Sequence, residues 1–365
     1  MAPKVTVVLD WTPNGNHIGF FVAKDKGLYE ALGLDVHIIS PADPEYQGSY
    51  TPAQKEKEDG GGSGAPKYVT PCSKVAEGSA QFAMNSPEGV VGWNVATGRP
   101  SLKAVAALLQ DRNTSAIVAL KSSGIASPKD LDGKHYASYA ARFEGRIVQR
   151  MIQHAGGKGE YVEDTPPMLG IWKSVLEGKA DATWVFNQWE GVEAKLKGVE
   201  LNTFAVCDYG VPYAYAPCLC AHPDWLKANP TVAKAFLKAT AEGYAIAAQD
   251  PAYAADALVR LTALTGHTID PALALGSAEF LADKFLTTGT DGEGGSKPSW
   301  GKMDSAVWEG YVKWLWESDL LTTGMQSRHP DGTTTFSLDD LRAGKAGERL
   351  SLEAVPTVFT NAYLP

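Results

Sequence analysis

Polar and aromatic residues follow directly after the first apolar run of the chain. The β-branched run Val5–Val8 leads into Asp10-Trp11-Thr12-Pro13-Asn14 and then His17. Apolar residues then recur with helical spacing from Ile18 to Leu28, so the pattern predicts a strand, a loop and a helix. In open α/β sheets small ligands bind at the carboxyl ends of strands. The candidate ligand-binding residues at this strand end are Asp10, Trp11, Asn14 and His17.

Two of these side chains have distinct chemistry. Trp11 lies in a loop with Pro and Asn, where an indole can offer a stacking face to a planar ring; the alternative is a core tryptophan. The imidazole of His17 can donate to a ligand or act as an acid or base, because an unperturbed imidazole in general titrates near pH ~6.5. The alternative for His17 is a capping or packing role.

A helix-glycine-strand pattern occurs twice along the chain. Val75–Ala83 and Val175–Thr183 each predict a helix end, a glycine stop and a short strand. The strand ends are followed by the candidate residues Glu88 in the first copy and Trp184, Trp189 and Glu190 in the second. A carboxylate in a cleft suits an aminopyrimidine, since it accepts from the exocyclic amine and pairs with a ring nitrogen. The alternatives are solvent-exposed glutamates and chance similarity of a common turn.

Two further segments could contribute to a ligand site. Gln110–Ser115 connects the two halves and is rich in hydrogen-bonding side chains, so we predict a hinge and a ligand wall that includes Asn113. Tyr139–Arg146 follows a predicted strand and opens a helix. Tyr139 is therefore a candidate contact, and the helix start with Arg142 or Arg146 could hold an anionic group.

Motifs of catalysis and metal binding are not found in the sequence. There is no P-loop, GxGxxG, nucleophile elbow or HExxH, so we predict no catalytic residues and no metal ligands. The cysteines are Cys72, Cys207, Cys218 and Cys220, without a CxxC pair. We interpret them as buried free thiols, with a redox or iron role of Cys218 and Cys220 as the alternative.

Length and composition limit the class of protein. A chain of 365 residues with 44% hydrophobic and 21% charged residues can form two globular domains. The net charge of −9 disfavours nucleic acid, and a small neutral or cationic ligand fits better. No stretch is apolar enough to insert into a membrane. The first residues lack a secretory signal, which predicts a cytoplasmic protein, or a periplasmic or extracellular one if a signal was removed.

These patterns together predict an α/β fold with two α/β lobes around a central ligand cleft. Lobe I comprises residues 1–107 with an inserted loop at 41–71, lobe II residues 108–204, and residues 205–365 return to lobe I with C-terminal helices and a tail. The insertion, rich in Gly and charge, is either a lid over the cleft or a solvated excursion. A capped turn at 127–134, core-forming helices at 229–264 and a flexible loop at 291–295 complete the prediction.

The chain resembles the thiamine-pyrimidine superfamily, which joins bacterial binding proteins for formylaminopyrimidine to fungal thiamine pyrimidine synthases. The resemblance covers nearly the whole chain apart from 41–71. It is carried by residues 10–17, 22–27, 113–115, 184–191 and 359–365. It implies the type II periplasmic-binding-protein fold. It also implies that Trp11 stacks on a pyrimidine and that Glu190, with Asp10 or Asn14, contacts the polar edge of the ring.

The synthase branch of this superfamily makes its product from pyridoxal phosphate and one of its own histidines, with iron. The resemblance implies a lysine and, four residues later, the donor histidine, but Ser86 and Val90 stand at those positions here. The cysteine-rich run of the synthases is also missing. We therefore expect a binding protein without a cofactor, whose partner is a small heterocycle, and the sequence identifies no transporter or protein partner. The alternatives are a synthase-like enzyme that uses pyridoxal phosphate and iron, and a cytosolic sensor.

Overall fold

The structure is a computed structural model of the chain. It describes residues 2–47, 69–95, 99–139, 141, 143–166, 170–213, 215–290, 296–322 and 347–365. The middle of the predicted insertion, residues 48–68, and the predicted loop at 291–295 lie outside the described residues.

Two five-stranded sheets form the framework. The first sheet has the order β2-β1-β3-β10-β4 and contains β1 (Lys4–Val8), β2 (Asp35–Ile39), β3 (Phe82–Asn85), β4 (Lys103–Ala107) and β10 (Cys218–Ala221). The second has the order β7-β6-β8-β5-β9 and contains β5 (Ser115–Leu120), β6 (His135–Ala137), β7 (Val162–Asp164), β8 (Ala182–Phe186) and β9 (Leu201–Ala205). A separate hairpin joins β11 (Thr287–Thr290) and β12 (Ser296–Ser299).

Helices surround these sheets. They are α1 (Ile18–Asp25), α2 (Leu28–Ala31), α3 (Pro71–Ala76), α4 (Pro87–Val95), α5 (Glu144–His154), α6 (Ile171–Leu176), α7 (Val192–Leu196), α8 (Pro223–Ala228), α9 (Pro230–Gln249), α10 (Pro251–Ala263), α11 (Pro271–Leu281) and α12 (Ser305–Glu317). In the part of the chain that the structure describes, none of the helices has the length and apolar character needed to cross a membrane.

The strand pairing brings the predicted site segments to common edges. β1 is parallel to both β2 and β3, so the carboxyl ends of β1 and β3 lie at the same edge of the first sheet. β6 is parallel to β8 in the second sheet, which brings the segments after these two strands together in the same way. The β-branched composition of β1 suits its position between two neighbouring strands, where four of its five residues are buried.

The chain passes between the sheets twice, between β4 and β5 and again between β9 and β10. The exact lobe boundaries at 107/108 and 204/205 stay a prediction. The helices predicted at 229–264 are confirmed, and within α9 the residues Phe236, Thr240 and Tyr244 are fully buried. Val232 is only partly buried. The rings of Phe82 and Phe236 are stacked with their centroids 4.3 Å apart, and this contact packs α9 against the first sheet.

The two described ends of the predicted insertion at 41–71 contain buried residues. Tyr46 is 1% exposed, and its hydroxyl donates to the carbonyl of Val69 at 2.5 Å. Pro71 begins α3, where Thr70 caps the helix by accepting from the amide of Ser73. Composition alone misses this packing, because one buried aromatic ring is enough to hold a polar segment against the core. The capped turn before β6 is confirmed, with a capping box between Ser127 and Asp130.

Candidate functional site

A cavity of about 260 Å³ is lined by residues that follow strands of both sheets. Its aromatic lining residues are Trp11, Trp93, Tyr139, Trp184, Phe186, Trp189 and Tyr213, and its carboxyl groups are Asp10, Glu88, Glu144 and Glu190. Small-ligand sites in proteins are generally concave, largely apolar and furnished with a few placed polar groups. The volume lies close to the lower end of the usual ~300–1,000 Å³ range, which favours a small ligand.

Asp10 is held in the cavity wall by His17. The Nε2 atom of His17 lies 2.9 Å from Oδ1 of Asp10, and its Nδ1 accepts the backbone N–H of Asn14 at 3.1 Å. Since Nδ1 is an acceptor, the ring carries its hydrogen on Nε2 and donates it to Asp10. His17 is 0% exposed and does not line the cavity. The structure thus places His17 behind the cavity wall, where it orients Asp10 and the turn at Asn14, as in the alternative of a capping or packing role. A ligand contact of His17 stays a prediction.

Asn14 caps the short helix that precedes α1. Its Oδ1 accepts the N–H of Asn16 at 2.9 Å, and its Nδ2 donates to the carbonyl of Thr12 at 3.1 Å. These two bonds are typical of an N-cap, where a short polar side chain satisfies the first amides of the helix. Asn14 lines the cavity, but both ends of its side-chain amide have a partner within the loop.

Trp11 lies on the cavity wall and is not a core residue. Its indole is partly exposed and contacts the ring of Tyr139 edge to face, with centroids 5.7 Å apart and an interplanar angle of 75°. Trp11 follows β1 of the first sheet and Tyr139 follows β6 of the second, so the contact crosses the cleft. The carbonyl of Trp11 accepts from Ser40 Oγ at 3.3 Å, which ties the loop to the end of β2.

Glu88 and Glu190 lie after equivalent strands of the two sheets. The predicted repeat is confirmed as α3-Gly78-β3 and α6-Gly178-β8, and the two glycines have positive φ of 78° and 67°. That backbone conformation favours glycine, which explains why both helices stop there. Both glutamates line the cavity, so the alternative of two solvent-exposed side chains is wrong.

Burial sets the proton affinity of these two carboxyl groups. Glu88 is 7% exposed and accepts from the hydroxyl of Tyr213 at 2.5 Å. Burial raises the pKa of Glu88 despite that hydrogen bond. Glu190 accepts the N–H of Phe186 at 3.0 Å, and burial raises the pKa of Glu190 to about 7. Near neutral pH, Glu190 can therefore act as a donor or as an acceptor.

Glu144 organises the loop that carries Tyr139. Its Oε1 accepts from the hydroxyl of Tyr136 at 2.7 Å and from the N–H of Tyr139 at 3.1 Å, and its Oε2 accepts the N–H of Ala141 at 3.0 Å. Burial raises the pKa of Glu144 to about 7. With three donors on one carboxyl group, Glu144 serves to position the loop.

The two sheets are also joined directly beside the cavity. Gln188 follows β8, and its Nε2 donates to Oδ1 of Asn16 at 2.8 Å; both side chains are buried. The backbone carbonyl of Asn16 accepts from Tyr244 on α9 at 2.6 Å. The bond between Gln188 and Asn16 and the contact between Trp11 and Tyr139 thus join the two sheets beside the cavity.

Most of the predicted site residues line the cavity, but not all. The cavity includes Asp10, Trp11, Asn14, Glu88, Tyr139, Trp184, Trp189 and Glu190. Asn113 is exposed, and its carbonyl accepts from Asn187 at 2.6 Å outside the cavity. Asn113 is thus not brought together with the other candidate residues, and its role in a ligand wall stays a prediction. Arg146 pairs with Gln149 on α5 and does not line the cavity, and Arg142 lies outside the described residues.

Sequence reasoning missed several cavity residues. They include Asn16, Asn85, Trp93, Arg99 and Tyr213. The guanidinium of Arg99 lies 4.5 Å from the ring centre of Trp93, so this cation is stacked on an aromatic wall. Glu88, Gly89, Gly92 and Trp93 share one face of α4, a spacing that could have identified Trp93. Tyr213 follows no strand and carries no such local signal.

The residues at the cavity do not fit an imine-forming cofactor. Among the described residues that line it there is no lysine, and Ser86 lies there instead. Val90 is 2% exposed and packs in the core. The hydroxyl of Ser86 cannot form the imine that pyridoxal phosphate makes with an amine.

The cysteines are free thiols and three of them are buried. Cys72 lines the cavity and accepts from Asn85 Nδ2 at 3.0 Å. Burial raises the pKa of Cys218 well above its usual value, and its thiol donates to the carbonyl of Tyr215 at 2.8 Å. Within the described ranges, no group of three His, Cys, Asp or Glu side chains is arranged to hold a metal ion.

Comparison with known proteins places these features in a family. The chain is 23% identical over 320 residues to the formylaminopyrimidine-binding protein of Halalkalibacterium halodurans, covering 87% of this chain and 86% of that protein. It is 26% identical over 267 residues to the 4-amino-5-hydroxymethyl-2-methylpyrimidine phosphate synthase THI13 of Saccharomyces cerevisiae, covering 68% of each.

Solved structures of similar shape show the fold. The alkanesulfonate-binding protein SsuA of Xanthomonas axonopodis aligns with a TM-score of 0.60 at 12% identity, covering 87% of this chain and 94% of that chain. A Candida albicans protein described as having the generic periplasmic binding protein fold aligns with a TM-score of 0.54 at 12% identity, covering 96% and 98%. The family match itself spans residues 14–57 and 64–254. The chain therefore has the periplasmic-binding-protein fold and belongs to the NMT1/THI5-like family.

Proposed function

We propose that this protein is a non-catalytic binding protein for a thiamin-precursor aminopyrimidine of the hydroxymethylpyrimidine or formylaminopyrimidine type. The observation that carries the proposal is the cavity of about 260 Å³ that combines Trp11, after a strand of the first sheet, with Glu190, after a strand of the second. The names of the two similar proteins, one a pyrimidine-binding protein and one a pyrimidine phosphate synthase, support the same ligand class.

Trp11 supplies the stacking surface in this proposal. Its partly exposed indole is held in place by the Ser40 hydroxyl on its backbone and by the edge of the Tyr139 ring. A pyrimidine is a flat aromatic ring that an indole face can cover, and ring-on-aromatic stacking contributes about 1–3 kcal/mol. A ligand between the two sheets would therefore gain most of its apolar contact from the aromatic lining.

Glu190 and Asp10 read the polar edge of the ring. Because the pKa of Glu190 is about 7, its carboxyl group can donate to a ring nitrogen and accept from the neighbouring exocyclic amine. Asp10 is better suited than Asn14 to be the second residue that forms a hydrogen bond with this edge. His17 orients the Asp10 carboxylate, whereas the Asn14 amide is engaged in the helix cap.

Closure of the cleft would trap the ligand. The bond between Gln188 and Asn16 and the contact between Trp11 and Tyr139 join the two sheets beside the cavity. A ligand that bridges the same two sheets would favour the arrangement in which these contacts are formed over a more open one. It would also expel water from the aromatic lining.

A synthase-like enzyme is the second candidate, because THI13 and this chain align over 68% of each sequence. The presence of Ser86 and the buried Val90 disfavours it, since neither can supply an amine or an imidazole. In the non-catalytic proposal the protein uses no cofactor.

Thermal unfolding with candidate ligands tests this proposal. A ligand at 100 times its dissociation constant adds about 2.7 kcal/mol to the free energy of unfolding. We expect hydroxymethylpyrimidine or formylaminopyrimidine to raise Tm, with no shift from pyridoxal phosphate at the same concentration. A shift with pyridoxal phosphate alone would favour the synthase. No shift of Tm with any of the pyrimidines would overturn the proposed function.

A further inference from the structure

Glu88 is a buried carboxyl group on the cavity wall that the recognition of the pyrimidine ring leaves unused. It follows β3, in the first turn of α4, and is 7% exposed. The Tyr213 hydroxyl donates to its Oε2 at 2.5 Å. The backbone N–H of Glu88 and the hydroxyl of Ser86 also donate to this carboxyl group. A carboxylate has about four lone-pair positions, so these three bonds fix the group and leave a position that can accept from a ligand.

Acidic groups outnumber basic ones around the cavity. Among its described lining residues are four carboxyl groups, those of Asp10, Glu88, Glu144 and Glu190, and a single basic side chain, Arg99. Glu144 is occupied by three donors from β6 and the loop that follows it. Arg99 lies on the ring of Trp93. A cationic group that enters this partly desolvated space can form a charge-assisted hydrogen bond with a carboxyl group of the wall, whereas a neutral ligand gains no such bond.

The aromatic residues that line the cavity independently favour a positively charged ligand. Four tryptophans and two tyrosines line the cavity with the acids. The faces of such rings carry negative charge and attract cations. Aromatic faces combined with carboxylates form a binding surface that favours a positively charged amine over a neutral group of the same size.

We propose that the cavity prefers an aminopyrimidine that carries a protonated primary amine, such as an aminomethyl arm, over its neutral hydroxymethyl or formyl counterparts, and that Glu88 is the residue that accepts this ammonium group. This inference rests on the proposed function and adds the charge of the ligand to it. Glu190 and Asp10 form hydrogen bonds with the polar edge of the ring. Glu88, held by Tyr213, determines which ring substituent the cavity prefers.

A matched pair of ligands tests the charge preference. 4-Amino-5-aminomethyl-2-methylpyrimidine and 4-amino-5-hydroxymethyl-2-methylpyrimidine have the same number of non-hydrogen atoms and differ in charge at neutral pH, because a primary amine is protonated there. By isothermal titration calorimetry we expect the wild-type protein to bind the aminomethyl compound at least about tenfold more tightly. Equal or tighter binding of the hydroxymethyl compound would overturn the inference and leave the proposed function standing. Failure of both compounds and of formylaminopyrimidine to bind would instead overturn the proposed function.

The variant Glu88→Gln tests the assignment of the residue. Its amide oxygen can still accept from Tyr213, so the shape of the cavity wall is kept while the negative charge is removed. We expect the aminomethyl compound to lose at least about tenfold in affinity and the hydroxymethyl compound to change by less than about threefold. Glu77→Gln, on an exposed side chain at the end of α3, is the matched control and should retain the preference.

Proton release on binding distinguishes a direct contact between Glu88 and the ammonium group from a purely structural role of Glu88, which would not change it. Burial raises the pKa of Glu88, whereas a paired ammonium group lowers it, so binding of the aminomethyl compound should release protons in the pH range where this carboxyl group is protonated in the free protein. The binding enthalpy of the aminomethyl compound should then depend on the ionisation enthalpy of the buffer, and this dependence should diminish in Glu88→Gln. A charge preference that persists unchanged in Glu88→Gln, with Tm showing that the variant is folded, would contradict the assignment.

Discussion

Substitution of Trp11 by alanine should weaken pyrimidine binding strongly and leave the fold intact. The substitution removes a stacking surface worth about 1–3 kcal/mol. It also removes the edge-to-face contact with Tyr139, which crosses the cleft at 5.7 Å and is worth about 0.5–1.5 kcal/mol in the closed form. At 1.4 kcal/mol per factor of ten, the two losses together weaken affinity about 10- to 1,000-fold.

Calorimetric titration with 4-amino-5-hydroxymethyl-2-methylpyrimidine measures this loss. Trp11→Phe keeps a smaller ring and should fall between the wild type and Trp11→Ala. Trp316→Ala is the control, because Trp316 is also a partly buried tryptophan but lies on α12 beneath Arg349, away from the cavity. An affinity of Trp11→Ala within threefold of the wild type would refute the stacking role. So would an equal loss in Trp316→Ala.

Three further predictions follow from the same structure. Since the pKa of Glu190 is raised from 4.5 to about 7, the native state binds more protons than the unfolded state between these pH values. The ligand-free protein should therefore lose up to about 3 kcal/mol of unfolding free energy as the pH rises through that range. Urea titrations at a series of pH values measure this loss, and Glu190→Gln should remove its share of the pH dependence. His17→Ala leaves Asp10 and the N–H of Asn14 without their shared partner at a fully buried position; it should lower the unfolding free energy by about 2–3 kcal/mol in urea, and unchanged stability would contradict the orienting role. Removal of residues 358–365, which pair with β4 and pack against α12, should lower the unfolding free energy by about 3 kcal/mol or more, and an unchanged Tm would show that the tail contributes nothing.

The positions of the strand-end residues could be predicted from the sequence because they depend on local patterns. The β-branched run before Asp10 fixes the end of β1, and Gly78 and Gly178 stop two equivalent helices. Such signals are local and repeat along the chain, so they identify the segments that meet at the cleft. They locate Trp11, Glu88 and Glu190 without any knowledge of the tertiary structure.

The environments of the same residues depend on distant parts of the chain. Glu88 is buried and accepts from the hydroxyl of Tyr213, which lies 125 positions away, and no local pattern indicates that contact. His17 was expected at the ligand, yet its ring is enclosed behind Asp10. Asn113 was expected in the wall, yet its backbone binds Asn187 on the outer side. Periodicity identifies the segment but does not determine which face of a loop turns towards the cavity.

A crystal structure of the protein with 4-amino-5-hydroxymethyl-2-methylpyrimidine at saturating concentration tests the central claim most directly. We expect the pyrimidine in the cavity between the two sheets, with its ring on the indole of Trp11 and its amine and a ring nitrogen within hydrogen-bond distance of Glu190. An empty cavity at saturating ligand, or a pyrimidine bound elsewhere on the protein, would contradict the account.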